Sequence, residues 1–110
     1  DYDRELALVV EKTDPASGEK KILGVGRLIK SRDRSEGEYG ILIRDDSQRQ
    51  GMGSELLRRL VEFARAEGMS RITADILSDN IGMKKASEKV GFTVKYSKEE
   101  EVLKSELKLK

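Results

Sequence analysis

The 110-residue sequence contains no cysteine and no histidine. Without cysteine the chain has no disulfide framework, no thiol nucleophile and no thiolate metal site. Without histidine, imidazole catalysis and histidine-based zinc sites are excluded as well. Any acid–base chemistry must therefore use Glu, Asp, Lys, Tyr or water, and we expect no metal cofactor. The lack of cysteine fits a cytoplasmic location, which we take as an expectation.

The sequence also lacks an excess of either charge and any long apolar run. Its 22 basic residues oppose 21 acidic ones, for a net charge of +1. Nucleic-acid-binding domains usually carry a basic excess, so we expect no nucleic-acid partner. No apolar run approaches the ~18 residues of a membrane span, and no signal-peptide pattern is present, so we expect no membrane partner. The apolar residues occur in blocks, which favours a folded domain over a disordered chain.

These apolar blocks predict the order β-β-β-α-β-α-β-β within one domain. Three strands joined by short polar turns favour an antiparallel meander, and the β-α-β unit that follows predicts a mixed sheet of the α/β or α+β class. The glycines of "GVGRLI" indicate a bulge or a close backbone approach. The second helix is predicted to be capped by Ser78 or Asp79 and to end at Gly91. The predicted strands cover residues 5–12, 21–30, 38–44, 71–77, 92–97 and 101–110, and the predicted helices cover residues 53–68 and 78–91.

The stretch "RDDSQRQGMGSELLRRL" places two glycines, Gly51 and Gly53, at the start of the first helix. The first amides of a helix have no partner inside it and favour an anion. Two interpretations stay open: a turn that needs left-handed dihedral angles, or a phosphate that must approach the backbone. A P-loop would require a lysine after the second glycine, and a dinucleotide fingerprint would require a third glycine. Neither is present.

Two motifs resemble the GNAT superfamily of N-acyltransferases. "QRQGMG" (48–53) is similar to the family element Q/R-x-x-G-x-G/A, and "NIGMKKASEKVGF" (80–92) is similar to its asparagine followed by a helix that ends in Gly-Phe. With "DYDRELALV" and "GEYGILIRDDSQRQGMG", the chain most resembles the GNAT domain of multidomain bacterial protein lysine acetyltransferases. The resemblance implies a GNAT-like mixed, mostly antiparallel sheet flanked by helices, in one acyl-CoA-binding domain over residues 1–110. The family's N-terminal strand and helices would be missing, so we expect a C-terminal fragment of a longer protein.

The resemblance also implies an activity. The chain would transfer an acetyl group from acetyl-CoA, its co-substrate, to a primary amine by direct attack in a ternary complex, with a protein lysine side chain as the expected acceptor. Two alternatives stay open: a small-molecule amine acetyltransferase, and a non-catalytic domain that senses acyl-CoA within a larger chain. The strand-rich tail "VLKSELKLK" offers an edge through which chains could pair into an oligomer.

The cofactor site is implied by the same resemblance. Backbone amides of the glycine turn would bind the pyrophosphate, and the pantetheine would lie along the third strand, where that strand and the 71–77 strand splay apart. Asn80 would hydrogen-bond the cofactor arm. The expected cofactor-binding residues are Leu42, Ile43, Gln48, Arg49, Gln50, Gly51, Met52, Gly53, Ser54 and Asn80.

Glu38 is the expected general base, because it matches the position of the glutamate base in the lysine acetyltransferases that the chain resembles. A lysine amine, with a reference pKa of about 10.4, must lose a proton before it attacks a thioester. From the residues alone, Glu38 could equally be an exposed strand-edge glutamate like Glu36. Asp75 is a second carboxylate that could act through water. A backbone N–H of the third strand is the expected donor to the carbonyl oxygen.

Tyrosine is the usual acid in many members of this family, seven residues after the asparagine. Here that position is Ser87. Serine is a poor acid, so we expect the role to be vacant or taken by water. Tyr39 and Tyr96 are expected to be packing residues.

Overall fold

The computed structural model describes residues 4–44 and 51–110. The order of elements confirms the predicted β-β-β-α-β-α-β-β chain and the mixed α/β class. The strands are β1 (Glu5–Thr13), β2 (Lys20–Lys30), β3 (Glu36–Ile43), β4 (Arg71–Leu77), β5 (Thr93–Ser97) and β6 (Val102–Lys108), and the helices are α1 (Met52–Ala66) and α2 (Ile81–Val90).

The six strands form one sheet in the order β1-β2-β3-β4-β6-β5. Every neighbouring pair is antiparallel except β3 and β4, which are parallel. Their pairing runs only from Glu36 opposite Arg71 to Glu38 opposite Thr73. Beyond these pairs the two strands separate, which confirms the predicted splay. We call this opening the fork, its arms being residues 39–43 of β3 and 74–77 of β4.

The core lies on one face of the sheet, beneath α1 and α2. In α1 the buried residues recur at helical spacing, as predicted, and Leu57 and Leu60 are fully buried against Leu28 and Ile72 of the strands. Alternate strand residues point the other way. On that second face, which we call the open face, no helix covers the strands in the part of the chain that the structure describes. Burial on one side only is typical of a largely antiparallel sheet.

The glycines of β2 serve close packing, as predicted. The register between β1 and β2 shifts at Val10, opposite Gly24. A Cβ on Gly24 would lie 2.8 Å from Ile43 Cδ1 and 3.2 Å from Met52 Sδ. The absence of side chains at this point therefore lets the first residue of α1 sit directly against β2 and β3.

The predicted cap of α2 was wrong. Ser78 and Asp79 form the turn that follows β4, and the helix begins at Ile81 with Asn80 as its N-cap. Asn80 Oδ1 accepts a hydrogen bond from the Met83 N–H at 3.1 Å. All three polar residues are capping types, and only the length of the turn decides between them.

The other end of α2 is as predicted. Gly91 ends the helix with a left-handed φ of 117°. Glycine favours this conformation because it has no Cβ to clash with the following carbonyl. The packing role predicted for Tyr96 was wrong, because this residue lies on the edge strand β5 and is 55% exposed.

The helices and acidic side chains of residues 4–44 and 51–110 bear on two further classes of site. Neither helix there is long and apolar enough to cross a membrane. No three acidic side chains there converge as metal ligands would.

Candidate functional site

The fork exposes backbone groups of β3. Arg44 N–H donates to the Leu23 carbonyl and Ser31 N–H donates to the Glu36 carbonyl, both at 2.8 Å. Hydrogen-bonded pairs alternate along an antiparallel ladder. The even-numbered residues of β3 therefore direct their N–H and C=O groups toward β2, and the odd-numbered residues direct theirs toward β4.

In this alternation the backbone N–H and C=O of Ile41 face the fork, where no partner strand lies beside them. It lies beyond the last β3–β4 pair, so β4 supplies no ladder bond to it. Ile43 points its backbone the same way, whereas Leu42 directs its backbone toward β2 and exposes 75% of its side chain on the open face. An extended ligand in the fork could thus pair with β3 as another strand would.

Glu38 and Glu36, which the sequence could not separate, have different surroundings. Glu36 accepts a hydrogen bond from Arg71 Nη2 at 2.9 Å. Arg71 also bonds Glu106 at 2.7 Å, and the carboxylates of Glu106 and Glu36 raise the pKa of its guanidinium. Glu38 stands at the root of the fork on the open face, and no group in residues 4–44 or 51–110 forms a hydrogen bond or ion pair with its carboxylate. Glu38 is therefore the carboxylate that is available to a reacting group.

Asp75, the second carboxylate, is engaged. Lys104 Nζ donates to its Oδ1 at 2.9 Å and also contacts Glu100. The hydrogen bonds to Asp75 and Glu100 raise the pKa of Lys104. Asp75 borders a hollow of about 410 Å³ on the open face of β4, β6 and β5, whose lining includes Thr73, the register partner of Glu38. Asp75 thus helps to shape the surface beside the fork.

The start of α1 separates the roles of the two glycines. Gly51 is the N-cap with φ 76°, and no side chain caps the helix within the described residues. A Cβ on Gly51 would touch nothing within 4 Å, so the left-handed backbone is by itself the reason for glycine there. Gly53 has helical dihedral angles, and a Cβ on it would lie 3.9 Å from Ala86, an ordinary contact. Neither backbone conformation nor packing requires glycine at position 53.

The remaining expected cofactor residues fall in different places. Met52 and Ser54 lie in the first turn of α1 beside Gly53, where the backbone N–H groups lack intrahelical partners. Asn80 uses its Oδ1 as the cap of α2 and keeps its exposed amide Nδ2 free of any partner in the described chain. The expected cofactor residues Gln48, Arg49 and Gln50 lie outside the described residues.

The sequence interpretation missed a buried group of hydroxyls behind the fork. The Tyr39 hydroxyl lies 2.8 Å from Ser87 Oγ and 2.7 Å from Ser105 Oγ. Burial raises the pKa of Tyr39, and its ring meets that of Phe92 edge-on at 5.0 Å, which confirms the predicted packing role. The signal was present at Ser105, because the strand period places it on the apolar face of Leu103 and Leu107, where a hydroxyl needs a partner.

Comparisons with known proteins identify the family of the chain. The family model described as acetyltransferase (GNAT) domain matches residues 1–93. The L-methionine sulfoximine/L-methionine sulfone acetyltransferases of Pseudomonas paraeruginosa and Pseudomonas aeruginosa are 35% identical over 57 residues, which is 52% of this chain and 33% of each relative. The match thus spans about a third of the length of these curated relatives.

Solved structures share the whole fold of the chain. The GNAT domain of S. lividans PAT is 26% identical with a TM-score of 0.81, over 99% of this chain and 63% of that one. A cAMP-binding acyltransferase from Mycobacterium smegmatis is 26% identical with a TM-score of 0.78, over 100% of this chain and 33% of that one. A spermidine N-acetyltransferase from Vibrio cholerae, solved with CoA and spermine, has a TM-score of 0.78 over 98% of this chain and 68% of that one. It is only 19% identical, so it shows the fold alone.

Proposed function

The chain belongs to the acetyltransferase (GNAT) family, a family of acyltransferase enzymes, and we propose that it transfers the acetyl group of acetyl-CoA to a primary amine, with protein lysine as the acceptor. Transfer occurs by direct attack of the amine in a ternary complex. The observation that carries this proposal is the unengaged carboxylate of Glu38 at the root of a fork in which β4 supplies no ladder bond to the backbone of Ile41.

The cofactor would lie between the start of α1 and the fork. The uncapped first turn of α1 offers the N–H groups of Met52, Gly53 and Ser54 to the pyrophosphate, helped by the helix dipole. Glycine at position 53 keeps this turn open to a ligand.

The cofactor arm would continue from the first turn of α1 into the fork. It would run along β3, with its amides toward the backbone of Ile41 and its methylenes against the side chain of Leu42. The Nδ2 of Asn80 would donate to the same arm from the other side of the fork.

The residues at the fork divide the chemistry between them. Glu38 accepts the proton of the attacking amine, which allows the new C–N bond to form at the thioester carbonyl. The N–H of Ile41 is the backbone donor available to the carbonyl oxygen as it becomes negative. Ser87 is fully buried and bonded to Tyr39, so we propose that the leaving thiolate takes its proton from water.

Protein lysine is favoured as acceptor by the shape of the surface beside Glu38. Small-molecule sites are usually enclosed and mostly apolar. The hollow next to the fork is instead a charged part of the open face, lined by ion-paired side chains. Such a surface suits an extended protein segment that brings a lysine to the fork. The curated relatives that act on L-methionine sulfoximine and L-methionine sulfone keep a small-molecule amine as the second candidate.

Binding and acceptor identity can be tested separately. Acetyl-CoA should raise the melting temperature of the chain, by the equivalent of about 2.7 kcal/mol at a hundredfold excess over Kd. Transfer is then measured by mass spectrometry against a lysine peptide library and a panel of small amines. Products on the peptides alone support protein lysine, and products on the small amines alone support the second candidate. Binding without any product would indicate an acyl-CoA-sensing domain, and no binding of any coenzyme A derivative would refute the proposal.

A further inference from the structure

Tyr39 occupies a distinctive place in the fold, one residue beyond the last β3–β4 pair. Its side chain points to the helix face, away from Glu38, and its hydroxyl meets Ser87 of α2 and Ser105 of β6. The three side chains are 5%, 0% and 1% exposed. A polar link is therefore buried directly behind the point where the fork opens.

The link joins the two arms of the fork. In the β4–β6 register Ser105 faces Ala74, the first residue of the β4 arm. Ala74 is the smallest side chain on the helix face of β4, between Ile72 and Ile76, and so leaves space for the Tyr39 side chain to pass beneath β4 and reach β6. One end of the link is thus the β3 arm, and the other end is the strand to which the β4 arm is paired.

The three hydroxyls are hydrogen-bond partners of one another. Each hydroxyl can donate once and accept twice, so a phenol between two serine hydroxyls gives each of the three oxygen atoms at least one hydrogen-bond partner. A buried network of this kind fixes one arrangement, because any displacement of one member leaves a buried polar group unpaired. Displacing β3 from β6 would break the bond between Tyr39 and Ser105. The link therefore opposes changes in the spacing of the arms.

We propose that Tyr39 is a positioning residue, whose hydroxyl holds the two arms of the fork at the spacing that admits the cofactor arm. It acts through the backbone of Ile41, which continues from it along β3. The ligand part of this inference rests on the proposed function, whereas the spacing of the arms can be measured in the free chain.

Two variants separate positioning from simple core stability. Tyr39→Phe keeps the ring against Phe92 but leaves Ser87 and Ser105 with unpaired hydroxyls. The triple variant Tyr39→Phe/Ser87→Ala/Ser105→Ala removes all three hydroxyls and leaves none unpaired, so its melting temperature should return toward that of the parent chain. If cofactor affinity depended only on the stability of the core, it would return to the parent value together with the melting temperature.

The spacing is measured by pulsed spin-label spectroscopy. Because the chain has no cysteine, Leu42→Cys and Leu77→Cys introduce one label on each arm, at side chains that are 75% and 67% exposed. Acetyl-CoA affinity is measured by calorimetry on the unlabelled chains. We expect the triple variant to have a parent-like melting temperature but a wider distance distribution between the labels. Its affinity for acetyl-CoA should be weaker by between about twofold and thirtyfold.

A triple variant with the parent distance distribution would overturn the inference, and so would a widened distribution with parent-like affinity. Failure of the parent chain to bind acetyl-CoA would refute the proposed function and the ligand part of the inference together. The distance distributions of the free chains would still decide whether Tyr39 sets the spacing of the arms.

Discussion

Replacing Glu38 by glutamine removes a negative charge and changes little else. The carboxylate is exposed and engages no group in residues 4–44 or 51–110, so Glu38→Gln should alter stability by no more than about 0.5 kcal/mol. The matched control is Glu36→Gln, two residues away on the same face. That change weakens the half-exposed ion pair with Arg71, which solvent screens, so stability should change little.

The two variants should differ sharply in turnover. Loss of a general base typically lowers a rate by about 10²- to 10⁴-fold, equivalent to about 2.7–5.4 kcal/mol in the barrier. Glu38→Gln should show this loss, and Glu36→Gln should retain parent-like turnover. Acetyl-CoA affinity should be the same in all three chains, because the proposed contacts of the cofactor arm on β3 lie at Ile41 and Leu42, beyond Glu38.

The measurement is acetyl transfer to the amine found by acceptor profiling, followed at saturating acetyl-CoA across the neutral and alkaline range. The parent rate should rise with pH as the amine loses its proton, and Glu38→Gln should stay low throughout. Parent-like turnover by Glu38→Gln would refute the assignment of the base. Equal losses of turnover in both glutamate variants would mean that turnover depends on negative charge on the open face rather than on one positioned base.

Two further predictions concern the start of α1 and the turn before β3. Gly53→Ala should fold and bind acetyl-CoA, because its Cβ makes only an ordinary contact with Ala86. Gly53→Val should also fold but should lose most of its acetyl-CoA binding, measured by calorimetry. Parent-like binding by the valine variant would refute the close approach of a phosphate. Hydrogen bonds from the Ser35 N–H, the Ser35 hydroxyl and the Ser31 hydroxyl lower the pKa of Asp33 from 3.8 to about 2, so its carboxyl NMR signal should titrate near the lower value. The corresponding stabilisation should be present above the ordinary pKa and lost as pH falls through about 2; titration at 3.8 would contradict these bonds.

The glycine at position 51 is a poorer probe of the phosphate. Its φ of 76° is strained for any side chain, so a substitution there would disturb the turn as well as any ligand. At position 53 the two effects are separate, which makes the Ala and Val pair the cleaner experiment.

The sequence was informative where the signal is local and repeated. The apolar spacing from Leu56 to Ala64 predicted the buried face of α1, because helical period alone decides which residues face the sheet. The change from short antiparallel turns to a β-α-β unit predicted where the sheet becomes parallel. The start of α2 was less certain because Ser78, Asp79 and Asn80 are all capping residues, and the turn geometry that selects Asn80 depends on where β4 ends.

The candidate site was predictable in part. The position of Glu38 followed from the resemblance, but its distinction from Glu36 depends on Arg71, 35 residues away, which engages one carboxylate and not the other. The link at Tyr39 was beyond the sequence patterns, since its partners lie 48 and 66 residues further along the chain. Such contacts are set by tertiary packing, and a buried serine reveals only that some partner exists.

Glu38 and Tyr39 are consecutive residues on opposite faces of β3, and this adjacency constrains the connection that precedes them. A slip of one residue in the β2–β3 register would turn the carboxylate into the core and the phenol toward solvent. An insertion or deletion between Ser31 and Ser35 is therefore tolerable only if the turn absorbs it or if the strand shifts by an even number. The length of a surface turn thus decides which face of β3 carries Glu38 and which carries Tyr39.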